Sequence, residues 1–196
     1  KLLNYFSNSK LAKSFSKNYI YTFSKSKIKK FKKYDNYTII GMGGSSLGIQ
    51  AIYNFLDFKI KKKFIFKNNL TTKEIEKSSK SKNLNIIISK SGNTLETIAN
   101  FHNLKNKRNN LFLCESSDNY LRKLANKLKC EIIDHRNYIG GRYSVLSEVG
   151  MLPSLLMGLD DRSFKNFNNL IKNRNFVNAL VDSVLSTLFF IKKKKL

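Results

Sequence analysis

Short apolar runs alternate with amphipathic stretches along most of this chain. From residue 38 onward, five runs of β-branched and aromatic residues are each followed by more polar sequence, mostly with apolar residues at helical spacing. The predicted strands are Thr38–Ile40, Phe64–Phe66, Ile86–Ile88, Leu111–Leu113 and Ile132–Ile133. Strands as continuously apolar as these are typical of parallel sheets covered on both faces. The pattern therefore predicts a three-layer α/β protein in which helices flank a five-stranded parallel sheet.

The segments between these strands predict the helices. They cover Leu47–Phe58, Thr72–Ser79, Thr94–Leu104 and Asn119–Leu128. Two further helices, Val145–Met157 and Phe176–Ile191, are expected to pack around the rim of the sheet. Residues 1–30 begin with helical spacing and continue into a Ser/Lys-rich stretch that reaches Tyr34. We interpret residues 1–34 as a helix with a linker and residues 35–196 as one domain.

The charge of the chain is strongly positive, with 37 Lys and Arg against 13 Asp and Glu and a formal net charge of +24. Such a charge usually suggests nucleic acid or an anionic membrane as a partner. Here the excess is mostly Lys and is spread along the chain, whereas phosphate-reading surfaces cluster Arg or interleave it with aromatic residues. We therefore expect no nucleic-acid partner, although the charge will attract small anions in general.

Cysteine usage and the chain ends bear on location. Cys114 and Cys130 are too few for a disulfide framework or a four-thiolate zinc site, and we expect buried thiols in a reducing compartment. No signal peptide is visible, and the apolar stretch Ala179–Ile191 is too short and too polar to span a bilayer. The sequence thus predicts a cytoplasmic protein without metal or membrane. Because the chain begins with Lys1 and stops in a run of Lys, we expect a fragment of a longer protein.

Two loops between a strand and a helix contain the residues that bind phosphate in other proteins. They are Gly41–Gly48, with the sequence GMGGSSLG, and Ser89–Thr97, with the sequence SKSGNTLET. Glycines allow close backbone approach, and hydroxyls and free helix N–H groups supply donors to an anion. A purely structural alternative is that Thr94 and Thr97 only cap a helix. Two such loops at matched strand ends favour phosphate binding.

Three other motifs compete with this interpretation of the loops. A dinucleotide fingerprint lacks its third glycine, which Ser46 replaces, and no acid ends the second strand. A Walker loop lacks its Gly-Lys-Ser/Thr. The run Gly44–Gly48 matches the G-x-S-x-G of a hydrolase elbow, but a triad histidine must follow. His102 lies within a predicted helix and His135 directly follows an Asp, so neither favours hydrolysis.

A third stretch, Gly140–Gly150, places two glycines directly before the lone arginine Arg142. Arginine is always charged and planar, which suits it to oxyanions. The alternative is a surface arginine that follows a turn. From these residues alone the two interpretations stay equally open.

Together the three stretches resemble the successive motifs of the glucose-6-phosphate isomerase family. The stretch from Gly140 to Ser147 is close to a family signature, and Ser89–Thr97 is shared with other sugar isomerase (SIS) domains. The resemblance covers about residues 35–196. It implies the SIS fold, a flavodoxin-like or Rossmann-like sheet of five parallel strands, as the first of two such domains. Departures from the family pattern fall at Ile49, Thr71, Asn93 and Glu148.

The resemblance also implies roles for individual residues. The sugar phosphate is held by Ser45, Ser89, Lys90, Ser91 and Thr94, and Gly44 lies against the substrate through its backbone. Arg142 faces the C1 and C2 oxygens of the sugar and stabilises an enediolate. No metal or other cofactor is implied.

The proton-transfer residues of the family are expected beyond Leu196. Glu96 and Glu148, the acids nearest the motifs, are expected to be structural, with Glu148 one to two turns into its helix. The resemblance implies a homodimeric isomerase of glycolysis and gluconeogenesis that interconverts glucose 6-phosphate and fructose 6-phosphate through a cis-enediolate. The 196 residues alone are expected to be inactive. The alternative is a stand-alone SIS domain that binds a phosphosugar and regulates a partner without catalysis.

Overall fold

One parallel sheet organises the protein. The computed structural model describes residues 10–70, 82–104, 107–166 and 172–194. The strands are β1 (Asn36–Ile40), β2 (Lys63–Lys67), β3 (Asn83–Ile88), β4 (Asn110–Glu115) and β5 (Glu131–His135). They are all parallel, in the order β2-β1-β3-β4-β5. All five predicted strands and the predicted parallel sheet are confirmed. Because the strand order reverses between β1 and β3, the loops that leave these two strands diverge and border a crevice.

The described helices follow the predicted alternation. They are α1 (Lys25–Lys29), α2 (Leu47–Phe55), α3 (Leu95–His102), α4 (Tyr120–Lys127), α5 (Glu148–Leu156) and α6 (Arg174–Lys194). Helix α2 ends before its predicted end, and a 3-10 turn, Asp57–Lys59, completes the segment. The helix predicted over Thr72–Ser79 lies outside the described residues. Helix α5 begins three residues later than predicted because the hydroxyl of Ser147 caps it and accepts from the Val149 N–H at 3.4 Å.

Alternate residues of the strands fill two cores, one on each face of the sheet. On one face, Ile39 and Ile86 pack with residues of α2 and α5. On the other, Ile40, Ile87 and Phe112 pack with residues of α3 and α4. Every residue of α5 is buried, so the expectation that this helix packs at the rim was wrong. A helix that is apolar nearly all round belongs inside a protein, and that is where α5 lies.

The Ser/Lys-rich stretch before the sheet is ordered by its few apolar residues. It forms α1 and a 3-10 turn, Lys30–Lys33, in place of the expected linker. Ile28 and Phe31 are buried in the core that also contains α5. The hydroxyl of Tyr37 donates to the Phe31 carbonyl at 2.9 Å and fixes the turn to β1. The domain boundary drawn at residue 35 stays a prediction.

The chain divides into two compact units, Lys1–Asp161 and Arg162–Leu196. The second contains α6, a helix of 21 residues whose apolar side chains are exposed. By length and composition alone, its residues Arg174–Lys193 could cross a membrane, and no other helix in the described parts of the chain could. The apolar stretch Ala179–Ile191 is shorter than this helix, because the helix extends through polar residues at both ends.

Candidate functional site

The loop after β1 meets the loop after β5 through two glycines. A Cβ atom on Gly44 would lie 2.2 Å from the carbonyl oxygen of Gly141, so a side chain has no room between the two backbones. The hydroxyl of Ser144 lies 2.7 Å from the Gly141 carbonyl oxygen and 3.2 Å from that of Gly44, and donates between them. Arg142, next to Gly141, is thereby held beside the loop after β1.

The same two segments stay in contact one turn further on. A Cβ on Gly48, in the first turn of α2, would lie 2.8 Å from Cγ2 of Val145. A Cβ on Gly150, in the first turn of α5, would lie 1.9 Å from the carbonyl oxygen of Val145. The glycines of Gly41–Gly48 and Gly140–Gly150 thus allow the loop after β1 to pack closely against the segment that contains Arg142.

Arg142 lies in a 3-10 turn, Gly141–Tyr143, and its side chain is exposed. No hydrogen bond or ion pair joins it to any residue that the structure describes. The other arginines near the sheet are engaged: Arg122 pairs with Asp134, and the Nε of Arg136 lies 3.9 Å from Oε1 of Glu148. The guanidinium of Arg142 is therefore available to an external oxyanion.

The loop after β3 forms a hydroxyl-lined turn. Ser89 is buried, and its Oγ lies 2.8 Å from Oγ1 of Thr94 and accepts from the Gly92 N–H at 3.2 Å. Gly92 takes φ +67°, which a residue with a side chain rarely adopts. Ser91 is exposed, and its Oγ accepts from the Asn93 N–H at 3.3 Å.

Helix α3 begins at this turn without a side-chain cap. Thr94 occupies the capping position, but its hydroxyl contacts Ser89 and makes no capping hydrogen bond. The alternative interpretation, in which the Thr94 side chain only caps the helix, does not fit this contact with Ser89. The first N–H groups of α3 are consequently free to donate to an anion. The positive end of the helix dipole favours an anion at the same place.

The start of α4 braces the loop after β3, a role that the sequence pattern did not predict. A Cβ on Gly92 would lie 1.9 Å from Oδ1 of Asn119, so the glycine is needed for this contact. The Tyr120 N–H donates to Oδ1 of Asn93 at 2.9 Å, and the Leu121 N–H donates to the Gly92 carbonyl at 3.0 Å. Only the position of Asn119 as the first residue of a predicted helix signalled a special role for it.

Lys90 and Ser45 differ from the other predicted phosphate ligands. The Nζ of Lys90 donates to the Asn137 carbonyl at 2.7 Å and lies 3.4 Å from Oε1 of Glu115. Its side chain is engaged with the loop after β5. Ser45 ends a 3-10 turn, Gly43–Ser45, and is partly exposed.

The predicted site residues thus fall into two groups at the carboxyl edge of the sheet. Gly44 and Arg142 form one group, and Ser89 and Thr94 form the core of the other. A Cβ on Gly41 would lie 2.9 Å from the carbonyl oxygen of Ile88, so the two loops start side by side. Within the described residues, no hydrogen bond joins one group to the other. That all of these residues contact a ligand stays a prediction.

Glu148 is the first residue of α5 and is fully buried, not one to two turns into its helix as expected. Its carboxylate accepts from the Tyr19 hydroxyl at 2.8 Å and from the Thr22 N–H at 3.1 Å. Burial, together with the Glu148 charge, raises the pKa of Tyr19 well above its ordinary value. Glu148 therefore ties the N-terminal segment to the start of α5, as the expectation of a structural role requires.

Comparison with known proteins finds relatives of this chain. The family model described as phosphoglucose isomerase matches residues 9–183. Glucose-6-phosphate isomerase of Methanocaldococcus jannaschii is 29% identical over 185 residues, which cover 87% of this chain and 46% of that protein. The Borreliella burgdorferi protein of the same name is 32% identical over 181 residues, covering 76% of this chain and 34% of that protein. The chain thus spans less than half the length of these relatives.

Solved structures support the fold. A hypothetical protein from Thermus thermophilus superposes with a TM-score of 0.62 at 24% identity, covering 70% of this chain and 37% of that one. The C-terminal domain of glucosamine-fructose-6-phosphate aminotransferase from Francisella tularensis superposes with a TM-score of 0.57 at 15% identity. The match covers 98% of this chain and 57% of that one. These likenesses concern the fold alone, whereas the family model covers most of the sequence. The chain belongs to the phosphoglucose isomerase family.

Proposed function

We propose that this chain carries the sugar-phosphate grip and the oxyanion-binding arginine of a glucose-6-phosphate isomerase. One observation carries the proposal. Arg142, whose exposed guanidinium has no partner among the described residues, directly follows a glycine–glycine backbone contact at the same sheet edge as a hydroxyl-lined turn and an uncapped helix start.

The phosphate end of the substrate would bind at the start of α3. The hydroxyls of Ser89 and Thr94 already lie within hydrogen-bond distance of each other, and a bound phosphate oxygen could accept from either. Ser91 adds an exposed hydroxyl at the same turn. Free N–H groups and the dipole of α3 would attract the phosphate without a lysine. This fits the contact of the Lys90 side chain with the Asn137 carbonyl.

The carbonyl end of the substrate would lie against Gly44 and Arg142. When a proton leaves C2 of an open-chain aldose phosphate, negative charge develops on the C1 and C2 oxygens. A fixed guanidinium at that place binds the enediolate more tightly than the substrate, because the ground state carries less charge there. Reprotonation at C1 then yields the ketose. The general base and the ring-opening groups would come from sequence outside this chain.

A phosphosugar-binding regulator is the second candidate. The fold neighbour NanR from Vibrio vulnificus, which was solved in complex with ManNAc-6P, has a TM-score of 0.56 at 17% identity. The hydroxyl-lined turn suits a regulator as well as an enzyme. An arginine held ready for charge at C1 and C2 has no use in a protein that only senses the phosphosugar.

Calorimetric titration of the 196-residue chain separates the two candidates. The ligands are glucose 6-phosphate and a five-carbon sugar phosphate that ends in a hydroxamate, whose planar anionic oxygens imitate the enediolate. An isomerase site should prefer the hydroxamate, and Arg142→Ala should abolish that preference while leaving glucose 6-phosphate affinity nearly unchanged. The matched variant Ser91→Ala/Thr94→Ala should weaken both ligands equally. Equal binding of the two ligands by the unaltered chain would support the regulator.

A further inference from the structure

A cavity lies away from the two loops that follow β1 and β3. It has a volume of about 250 Å³ and opens between the N-terminal segment and the loop after β5. Its polar lining consists of Lys13, Ser16, Asn18, Tyr19, Arg136 and Tyr138. None of the residues that line it belongs to the Gly41–Gly48 or Ser89–Thr97 loops, and none is acidic.

Two cations converge on one aromatic ring at this cavity. The Nζ of Lys13 lies 5.9 Å from the ring centroid of Tyr138, and Cζ of Arg136 lies 6.0 Å from the same centroid. Arg136 also lies 5.7 Å from the ring centroid of Tyr19. Like charges that share one ring repel each other. An anion beside both would be attracted to each cation and would offset that repulsion.

The acid nearest to these cations, Glu148, makes its hydrogen bonds with other groups. Glu148 is fully buried behind the cavity, and its carboxylate oxygens already accept from the Tyr19 hydroxyl and the Thr22 N–H. Its Oε1 also forms a long ion pair with Nε of Arg136 at 3.9 Å, and Nη2 of Arg136 donates to the Ile20 carbonyl at 3.1 Å. The Lys13 side chain makes no hydrogen bond or ion pair with any residue in the described parts of the chain, and only its backbone carbonyl accepts, from the Ser16 N–H at 3.1 Å. The uncompensated positive charge at the mouth of the cavity is therefore that of Lys13, whereas Glu148 partly neutralises Arg136.

We propose that this cavity binds a small tetrahedral oxyanion, either inorganic phosphate or the phosphate group of a small metabolite. Lys13 and Arg136 supply the charge, and the Ser16 hydroxyl and the Asn18 amide supply uncharged donors around it. A tetrahedral anion accepts from several directions at once, which matches donors drawn from two separate segments. The cavity is smaller than the usual pocket for a drug-sized ligand, which favours a small anion.

The test is a backbone-amide NMR titration of the whole chain with inorganic phosphate and, separately, glycerol 3-phosphate, at constant ionic strength. Saturable shifts are expected at Asn18 and Tyr138, independent of those in the loop after β3. Lys13→Gln is the informative variant because this side chain supports nothing else in the described fold. Lys17→Gln, an exposed lysine on the same segment that does not line the cavity, is the matched control.

We expect Lys13→Gln to weaken binding at Asn18 and Tyr138 roughly two- to fivefold, as for a partly exposed charge pair, and Lys17→Gln to leave it unchanged. The tighter of the two ligands identifies the source of the oxyanion. Equal weakening by both variants would reduce the effect to the net charge of the chain and overturn the proposal. Shifts confined to the loop after β3, or shifts that never saturate, would overturn it as well.

Discussion

Replacing Gly44 with Ala tests whether the two halves of the sugar site meet as the structure has them. The new Cβ would lie 2.2 Å from the carbonyl oxygen of Gly141 and 2.4 Å from its carbonyl carbon. Both partner atoms belong to the backbone, so no side chain can rotate away to make room. The two loops must therefore move apart by roughly 1 Å before ordinary van der Waals contact is restored.

The expected magnitude follows from that displacement. Overpacking against backbone costs about 1–3 kcal/mol of folding free energy. The separation also draws Arg142 away from the β1 loop, and a misplacement of about 1 Å in a reacting geometry can lower a rate about a hundredfold. Binding of the phosphate group at the loop after β3 should change little, because none of its hydrogen bonds involves Gly44.

Urea unfolding and hydroxamate titration of the same variant measure both effects. Gly140→Ala is the matched control, since its Cβ would meet only Cδ2 of Tyr143, at an ordinary 3.6 Å. That variant should be as stable as the unaltered chain, or slightly more stable because alanine restricts the unfolded state. If Gly44→Ala proves as stable as Gly140→Ala and binds the hydroxamate equally well, the contact between the loops is not formed and the site argument fails.

Four further outcomes are expected. Ser91→Ala/Thr94→Ala should weaken glucose 6-phosphate binding by about 1.5–3 kcal/mol for each hydrogen bond lost to the phosphate, measured by calorimetry. A coupled assay on the chain alone should detect no conversion of glucose 6-phosphate, and turnover would contradict the expectation that the general base lies outside this chain. Glu148→Ala should lower the unfolding free energy in urea by about 1.5–3 kcal/mol, because the Tyr19 hydroxyl and the Thr22 N–H lose a charged acceptor, whereas Glu148→Gln should cost less. Burial lowers the pKa of His135 below its ordinary value of 6.5, so the unfolded chain protonates first and stability should fall as pH drops below 6.5 towards the folded pKa, with a flatter profile for His135→Gln.

The sheet could be predicted because its signal is local. Runs such as Ile86–Ile88 are buried on both sides, and only a covered parallel sheet accepts continuously apolar strands. The hydroxyl-lined turn before α3 could be predicted for the same reason, since its donors, its glycine and its helix are contiguous in sequence. Periodicity also located α4 to within two residues.

Contacts between distant segments could not be predicted. No pattern within the Ser/Lys-rich stretch shows that Ile28 and Phe31 enter the core, because a few apolar residues among lysines also fit an exposed linker. The burial of Glu148 depends on donors more than 120 residues away, at Tyr19 and Thr22. An acid is expected to be exposed unless its partners are known, and here the partners lie on another segment.

The two parts of the proposed site differ in the same way, because one depends on local sequence and the other on contacts between distant segments. The hydroxyls of the proposed phosphate site come from the one short loop between β3 and α3, and the start of α4 braces that loop. The position of Arg142 depends on Gly44 and on Ser144, which reaches across 100 residues of sequence to the Gly44 carbonyl. Perturbing the long-range contact should therefore cost affinity for the enediolate mimic, and perturbing the loop should cost affinity for every phosphosugar. A protein that only senses phosphosugars needs the first part, whereas an isomerase needs both parts held in register.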